Sequence, residues 1–174
     1  VIGNDRAAAI AEQNMTKDYI QEIANGIKSK WHKEADDLKT EEHRQSVLKS
    51  KGKPFFDDAI KTLQSDINEL NEALTGDTTS QTTTIAKAND AQTWTISRPH
   101  FPQVNSTLKY ETEQISLSLP GKGSAHNEIY KFHVEKNNGL WLERVYGENP
   151  EKFRHPDEFA KHIMETLFEA EKEK

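Results

Sequence analysis

The chain has 174 residues, a net charge of −6, 33% hydrophobic and 30% charged side chains, and no cysteine. That length gives one average domain or two small ones, with a modest core and long solvated elements. Without cysteine there are no disulfides, thiolate nucleophiles or cysteine-ligated metals. The longest apolar run, Ala7 to Ala11, is far short of the ~20 residues that span a bilayer, and no basic-then-apolar leader opens the chain. A soluble protein with no membrane insertion is therefore expected; its compartment is left open, with the cytoplasm favoured. Residues 1–75 carry 11 basic and 14 acidic side chains, and residues 91–174 carry 11 and 13. No basic stripe exists in either half, so nucleic acid is not an expected partner.

The first 75 residues read as helix. Ile20, Ile23, Ile27, Trp31, Ala35 and Leu38 follow one another at spacings of three and four. Gly26 interrupts this stripe and points to a close helix contact. A second short helix is expected from about residue 40 to 50, capped by Thr40, and Lys51-Gly52-Lys53-Pro54 is expected to break the chain. Phe56, Ile60, Leu63, Ile67, Leu70 and Leu74 then repeat at 4, 3, 4, 3, 4, a coiled-coil-like seam of nearly three heptads. Such a narrow stripe wants one partner helix. The expected partner is residues 19–38 of the same chain, giving a helical hairpin; the alternative is a second chain.

A connector is expected at 76–92, a polar stretch that follows Thr75 and is rich in Thr. From residue 93 the period changes to two. Trp94 and Ile96 mark a strand, and Arg98-Pro99-His100-Phe101-Pro102 a rigid loop. Leu108 and Tyr110 alternate, then Ile115, Leu117 and Leu119 alternate in the opposite phase, so a bulge or break is expected near Glu113-Gln114. Pro120 to Ser124 reads as a turn. Tyr130, Phe132 and Val134 form the next strand, and Asn137-Asn138-Gly139 turns it back along residues 140–146. A two-residue turn would pair Phe132 with Val145; a three-residue turn with Gly139 in a bulge would pair Val134 with Leu142. A closing helix starts near Pro156, with Phe159, Ile163, Met164, Leu167 and Phe168 on one face.

The expected fold is thus α+β: a helical hairpin at 1–75, a connector at 76–92, and at 93–174 a four-stranded antiparallel sheet backed by a C-terminal helix. No catalytic constellation accompanies it. There is no Gly-x-Ser-x-Gly elbow, and Gly121-Lys122-Gly123-Ser124 lacks the upstream glycine and following helix of a phosphate loop. Glu158 and His162, with His155 nearby, have helical spacing for two metal ligands, as do His32 and Asp36. Without the HExxH order both pairs read as ordinary helix-surface chemistry, so no metal and no cofactor is expected. The candidate contact residues are Trp141, Arg144, Tyr146 and His133, an aromatic and cationic group on the return hairpin. The function read from these features is non-enzymatic: a protein-binding or self-assembly module. The alternative is a small-ligand binder or small hydrolase-like enzyme with a pocket between sheet and helices.

Overall fold

The computed structural model describes residues 4–75, 82–99, 103–119, 126–145 and 150–168, with side chains described from residue 19 onward. The chain forms two compact units, Val1–Arg44 and Gln45–Lys174. No described helix is long and apolar enough to cross a membrane.

Helix α1 runs from Asn4 to Val47. In the first unit its apolar stripe is exposed: Ile20, Ile23, Ile27, Trp31 and Leu38 all face solvent, Trp31 at 66% and Leu38 at 67% of full exposure. The helical hairpin expected from this stripe and the 56–74 seam is not seen: the chain runs on as helix from Tyr19 to Ala73, and Phe56, Ile60, Leu63 and Ile67 are buried within the second unit's own core. Gly26, read as a contact point, has nothing within 4 Å of where a Cβ would stand.

The expected break at Lys51–Pro54 is absent. The helix passes through a π-helical turn, Leu48–Gly52, into α2, Lys53–Ala73. Pro54 sits in the first turn of α2, where its missing N–H would interrupt an α-helical ladder. The wider turn before it lets the chain stay helical around that gap. Tyr110 packs against this turn, and its hydroxyl would lie 2.9 Å from a Cβ at Gly52.

The second unit carries seven antiparallel strands rather than four, joined in chain order as a meander: β1 Thr84–Lys87, β2 Thr93–Arg98, β3 Val104–Glu111, β4 Gln114–Leu119, β5 His126–Val134, β6 Leu140–Arg144 and β7 Lys152–Phe153. Strand β1 lies inside the stretch read as a connector. Its sequence, TIAK, is too short and too polar to announce itself, and its pairing with β2 defines it. The two-residue β7 is set likewise by Phe153 standing opposite Leu142. The phase change near Glu113 is a hairpin, not a bulge: Glu111 pairs with Gln114 across a two-residue turn. Residues 100–102 and 120–125, read as a loop and a turn, lie outside the described residues.

Neither expected register of the β5–β6 hairpin occurs. Phe132 stands opposite Leu142, Val134 opposite Leu140, and His133 opposite Trp141. The residue at positive φ is Asn138, at 64°, rather than Gly139. Asn138 N–H donates to the Glu135 carbonyl, and Glu135 N–H to the Gly139 carbonyl, closing a type I turn plus bulge. Asparagine tolerates the left-handed conformation well enough to take the place the sequence offered to glycine.

Strict alternation puts Ile96, Leu108, Tyr110, Ile115, Leu117, Tyr130, Phe132 and Leu142 on one face of the sheet, all buried. Helices α2 and α3, the latter Pro156–Phe168, share that core. The α2 seam is consumed here. Phe56, Ile60, Leu63 and Ile67 are at most 2% exposed, and Phe55 and Ala59 widen the stripe beyond a two-helix seam. Phe55 meets Phe132 of β5 at 5.7 Å and Phe159 of α3 at 6.4 Å between ring centroids, so one residue joins three elements.

The two glycines of the long helical run should respond oppositely to alanine. Gly26→Ala, in open space, should raise helicity and contribute about 1 kcal/mol of local helix stability. Gly52→Ala should lower the urea midpoint, costing about 1–2 kcal/mol, because the buried Tyr110 ring must give way. Far-UV circular dichroism and urea titration of both variants check this.

Candidate functional site

Two groups of polar side chains stand out, one on each face of the sheet near β5 and β6. The face away from α2 and α3 is polar across its width. One register row reads Thr95, Thr107, Ser118, Asn127, and another reads Glu111, Gln114, Lys131, Glu143, Lys152, with opposite charges adjacent at β5, β6 and β7.

On this face His133 and Trp141 come together. Their rings stack at 4.3 Å with an interplanar angle of 14°. His133 Nε2 lies 2.9 Å from Glu143 Oε2, and Lys152 Nζ sits 4.7 Å from the Trp141 ring centroid. Strands β5 and β7 flank β6 on opposite sides, so the indole is contacted from both neighbours. It acts as the packed centre of a surface cluster rather than a free aromatic platform.

Arg144 does not join that cluster. It belongs to the core-side phase of β6, directly opposite Tyr130. Tyr146 lies outside the described residues. The four residues read as one contact group are therefore split, with His133 and Trp141 on the open face and Arg144 on the other.

Arg144 is part of a second group that the sequence reading missed. Glu128, 5% exposed, sits in the apolar phase of β5. Its Oε1 accepts from Arg144 at 2.6 Å, and its Oε2 accepts the Tyr130 hydroxyl proton at 2.5 Å. Tyr130 is fully buried, and its oxygen also lies 3.0 Å from His162 Nε2 on α3. His162 Nδ1 lies 3.0 Å from Glu151 Oε2, and Arg144 reaches the same carboxylate at 3.9 Å. Thr166 Oγ1 approaches Nε2 at 3.4 Å. Phe153 and Phe159 wall the group, Phe159 meeting Tyr130 at 5.0 Å and Phe153 meeting His162 at 4.9 Å. The chain Arg144–Glu128–Tyr130–His162–Glu151 thus ties β5 and β6 to α3.

Proton counting shows what the chain can do. The phenol has one proton and gives it to Glu128. The imidazole then completes both its contacts, to Tyr130 and to Glu151, only with a proton on each nitrogen. Burial opposes that charge and holds His162 below the ordinary histidine value of 6.5, while Glu151 and Glu128 pull it up and Arg144 pushes it down. Tyr130 is driven far above the usual phenol range, first by burial and then by Glu128. Its buried hydroxyl stays protonated and serves as a link between carboxylate and imidazole.

The Glu158–His162 pair is also divided by the structure. Glu158 Oε2 accepts the backbone N–H groups of Arg154 and His155 and so caps the start of α3, while His162 turns inward to Tyr130. Among the described residues no three His, Asp or Glu side chains gather into a metal-holding group. Comparison with protein-family models, curated proteins and solved structures returned no match to this chain.

Removing Arg144 would leave Glu128 charged, buried and held only by Tyr130. Arg144→Met should therefore cost about 1–3 kcal/mol in urea unfolding, and should cost less once Glu128→Gln is already present. The pH dependence follows from His162. Because its folded proton affinity is below that of the unfolded chain, its contribution is complete above about pH 6.5 and is lost as pH falls through its folded value. Thermal midpoints should drop from about pH 7.5 to about pH 5 by less in His162→Gln than in the parent chain.

Proposed function

We propose that the protein is a non-enzymatic binding or assembly module whose contact surface is the exposed apolar face of α1. One observation carries this reading. Tyr19, Ile20, Ile23, Ile27, Trp31 and Leu38 are 43–67% exposed. At 100° per residue these six fall within an arc of about 120° on one side of the helix. Single exposed apolar side chains are ordinary, but six on one helical face, tryptophan included, make a contiguous patch of the kind that marks contact sites.

The chemistry of the second unit supports the same reading. At the centre of its polar chain Glu128 and Tyr130 are buried and hydrogen-bonded to each other, with Tyr130 shut away from solvent. His133 and Arg144, two of the candidate contact residues, stand on opposite faces of the sheet.

The test is retention of protein from an extract of the source cells on the immobilised chain, compared with an Ile27→Lys/Trp31→Lys variant. The reading expects specific retention by the parent chain, lost in the variant, with the thermal midpoint of the second unit unchanged. Equal retention by both chains would contradict it.

A further inference from the structure

We propose that the occupant of the α1 face is a second copy of this chain, paired antiparallel. The inference rests on the reading of that face as a protein contact surface and adds the partner, the direction and the register. It is carried by the way charge is laid along the helix.

The stripe has a seam. Ile20, Ala24, Ile27, Trp31, Glu34 and Leu38 alternate at spacings of four and three. Charge is segregated along the axis. Residues 28–33 hold three lysines and no acid, whereas 34–42 hold five acids and one lysine. A helix that is basic in one segment and acidic in the next fits its own reverse. It is self-complementary under a two-fold axis that sets each segment beside the other.

The possible pairings separate on this basis. A parallel, in-register pair would bring Glu34 against Glu34 in the seam, and would set Asp37 of one copy beside Glu42 of the other. An antiparallel pair centred between Ile27 and Trp31 would give good apolar layers. It would also oppose Lys28 to Lys28 and Lys30 to Lys30. Sliding that pair by one heptad removes both conflicts. Ile27 then packs on Leu38 of the second copy, twice by symmetry. Lys30 lies beside Asp37 of the second copy, also twice, and Lys28 beside Ala35. Lys30 and Asp37 have no ion-pair partner within the described chain, and the seam residues they flank are exposed. Glu34 falls opposite Trp31. Glu41, the next seam position, falls opposite Ala24, and polar seam residues of this kind cost stability and fix register. The overlap covers residues 23–42, nearly three heptads, the short end for a coiled coil, so the proposed dimer is a reversible one.

The absence of native cysteine makes the test direct. Sedimentation equilibrium of the intact chain should give a mass approaching twice 19.9 kDa. Lys30→Glu should weaken the dimer about tenfold, and Lys30→Glu/Asp37→Lys should restore it. Under mild oxidation, Ile27→Cys mixed with Leu38→Cys should form a disulfide-linked dimer, while neither variant links to itself. Self-linking of Leu38→Cys would mean a parallel pair, and preferential linking of Ile20→Cys to Leu38→Cys would mean the unshifted register. Either overturns the inference while leaving the contact-surface reading intact. A chain that remains monomeric, yet retains another protein in a stripe-dependent way, overturns the second copy alone. A monomer with no stripe-dependent retention overturns both.

Discussion

A seven-stranded meander has one face to bury and one to leave in water, and most of this structure follows from that constraint. Period-two alternation sorts the strands into an apolar face and a face of Thr, Ser, Asn, Lys and Glu. The apolar face needs a second layer, and two helices supply it. α2 contributes Phe55, Phe56, Ala59, Ile60, Leu63 and Ile67, and α3 contributes Phe159, Ala160, Ile163 and Leu167. Once α2 is committed to the sheet, its seam has no capacity left for a coiled coil. The stripe on α1 is then the large apolar surface that stays exposed among the described residues.

The second consequence lies where α3 meets the β5–β6 hairpin. Glu128 and Arg144 occupy core-side positions that alternation would give to apolar residues. Burying such a pair is costly unless each charge finds hydrogen-bonding partners. Arg144 and Tyr130 both donate to Glu128, Glu151 lies 3.9 Å from Arg144, and His162, in contact with Tyr130 and Glu151, joins the pair to α3. The polar chain gives this corner a fixed geometry that a purely aliphatic contact would lack. On the opposite face, Trp141 is held between His133 and Lys152, which stiffens the same hairpin from outside.

Much of this was legible in the residues. The periods of α2 and α3, the alternation in β2, β5 and β6 and the α+β class all follow from apolar spacing, whereas β3 and β4 read as one interrupted strand and are two, joined by a hairpin at Glu111 and Gln114. What spacing could not give was partnership. An apolar seam specifies that something must cover it, and the seam at 56–67 would suit a helix as well as a sheet; the flanking Phe55 and Ala59 were the sign of a broader face. Strands β1 and β7 exist through their neighbours, since TIAK and a two-residue KF have no pattern of their own. The hairpin register turned on whether Asn138 or Gly139 takes positive φ, a choice separated by little energy. With that register unresolved, the face of Arg144 was unresolved too, and the Glu128 network stayed hidden. The available signal was a charged residue in an apolar phase, Glu128 two before Tyr130 and Arg144 two after Leu142.

The central claim is that the 56–67 seam is core and the 20–38 stripe is not. One paired measurement tests it: thermal unfolding of the second unit in Leu63→Lys and in Leu38→Lys, followed by near-ultraviolet circular dichroism. Leu63→Lys should abolish the cooperative transition, because a lysine would enter a fully buried site between sheet and helices. Leu38→Lys should leave its midpoint unchanged. Comparable loss in both variants, or a Leu63→Lys chain that still melts cooperatively near the parent midpoint, would contradict the account.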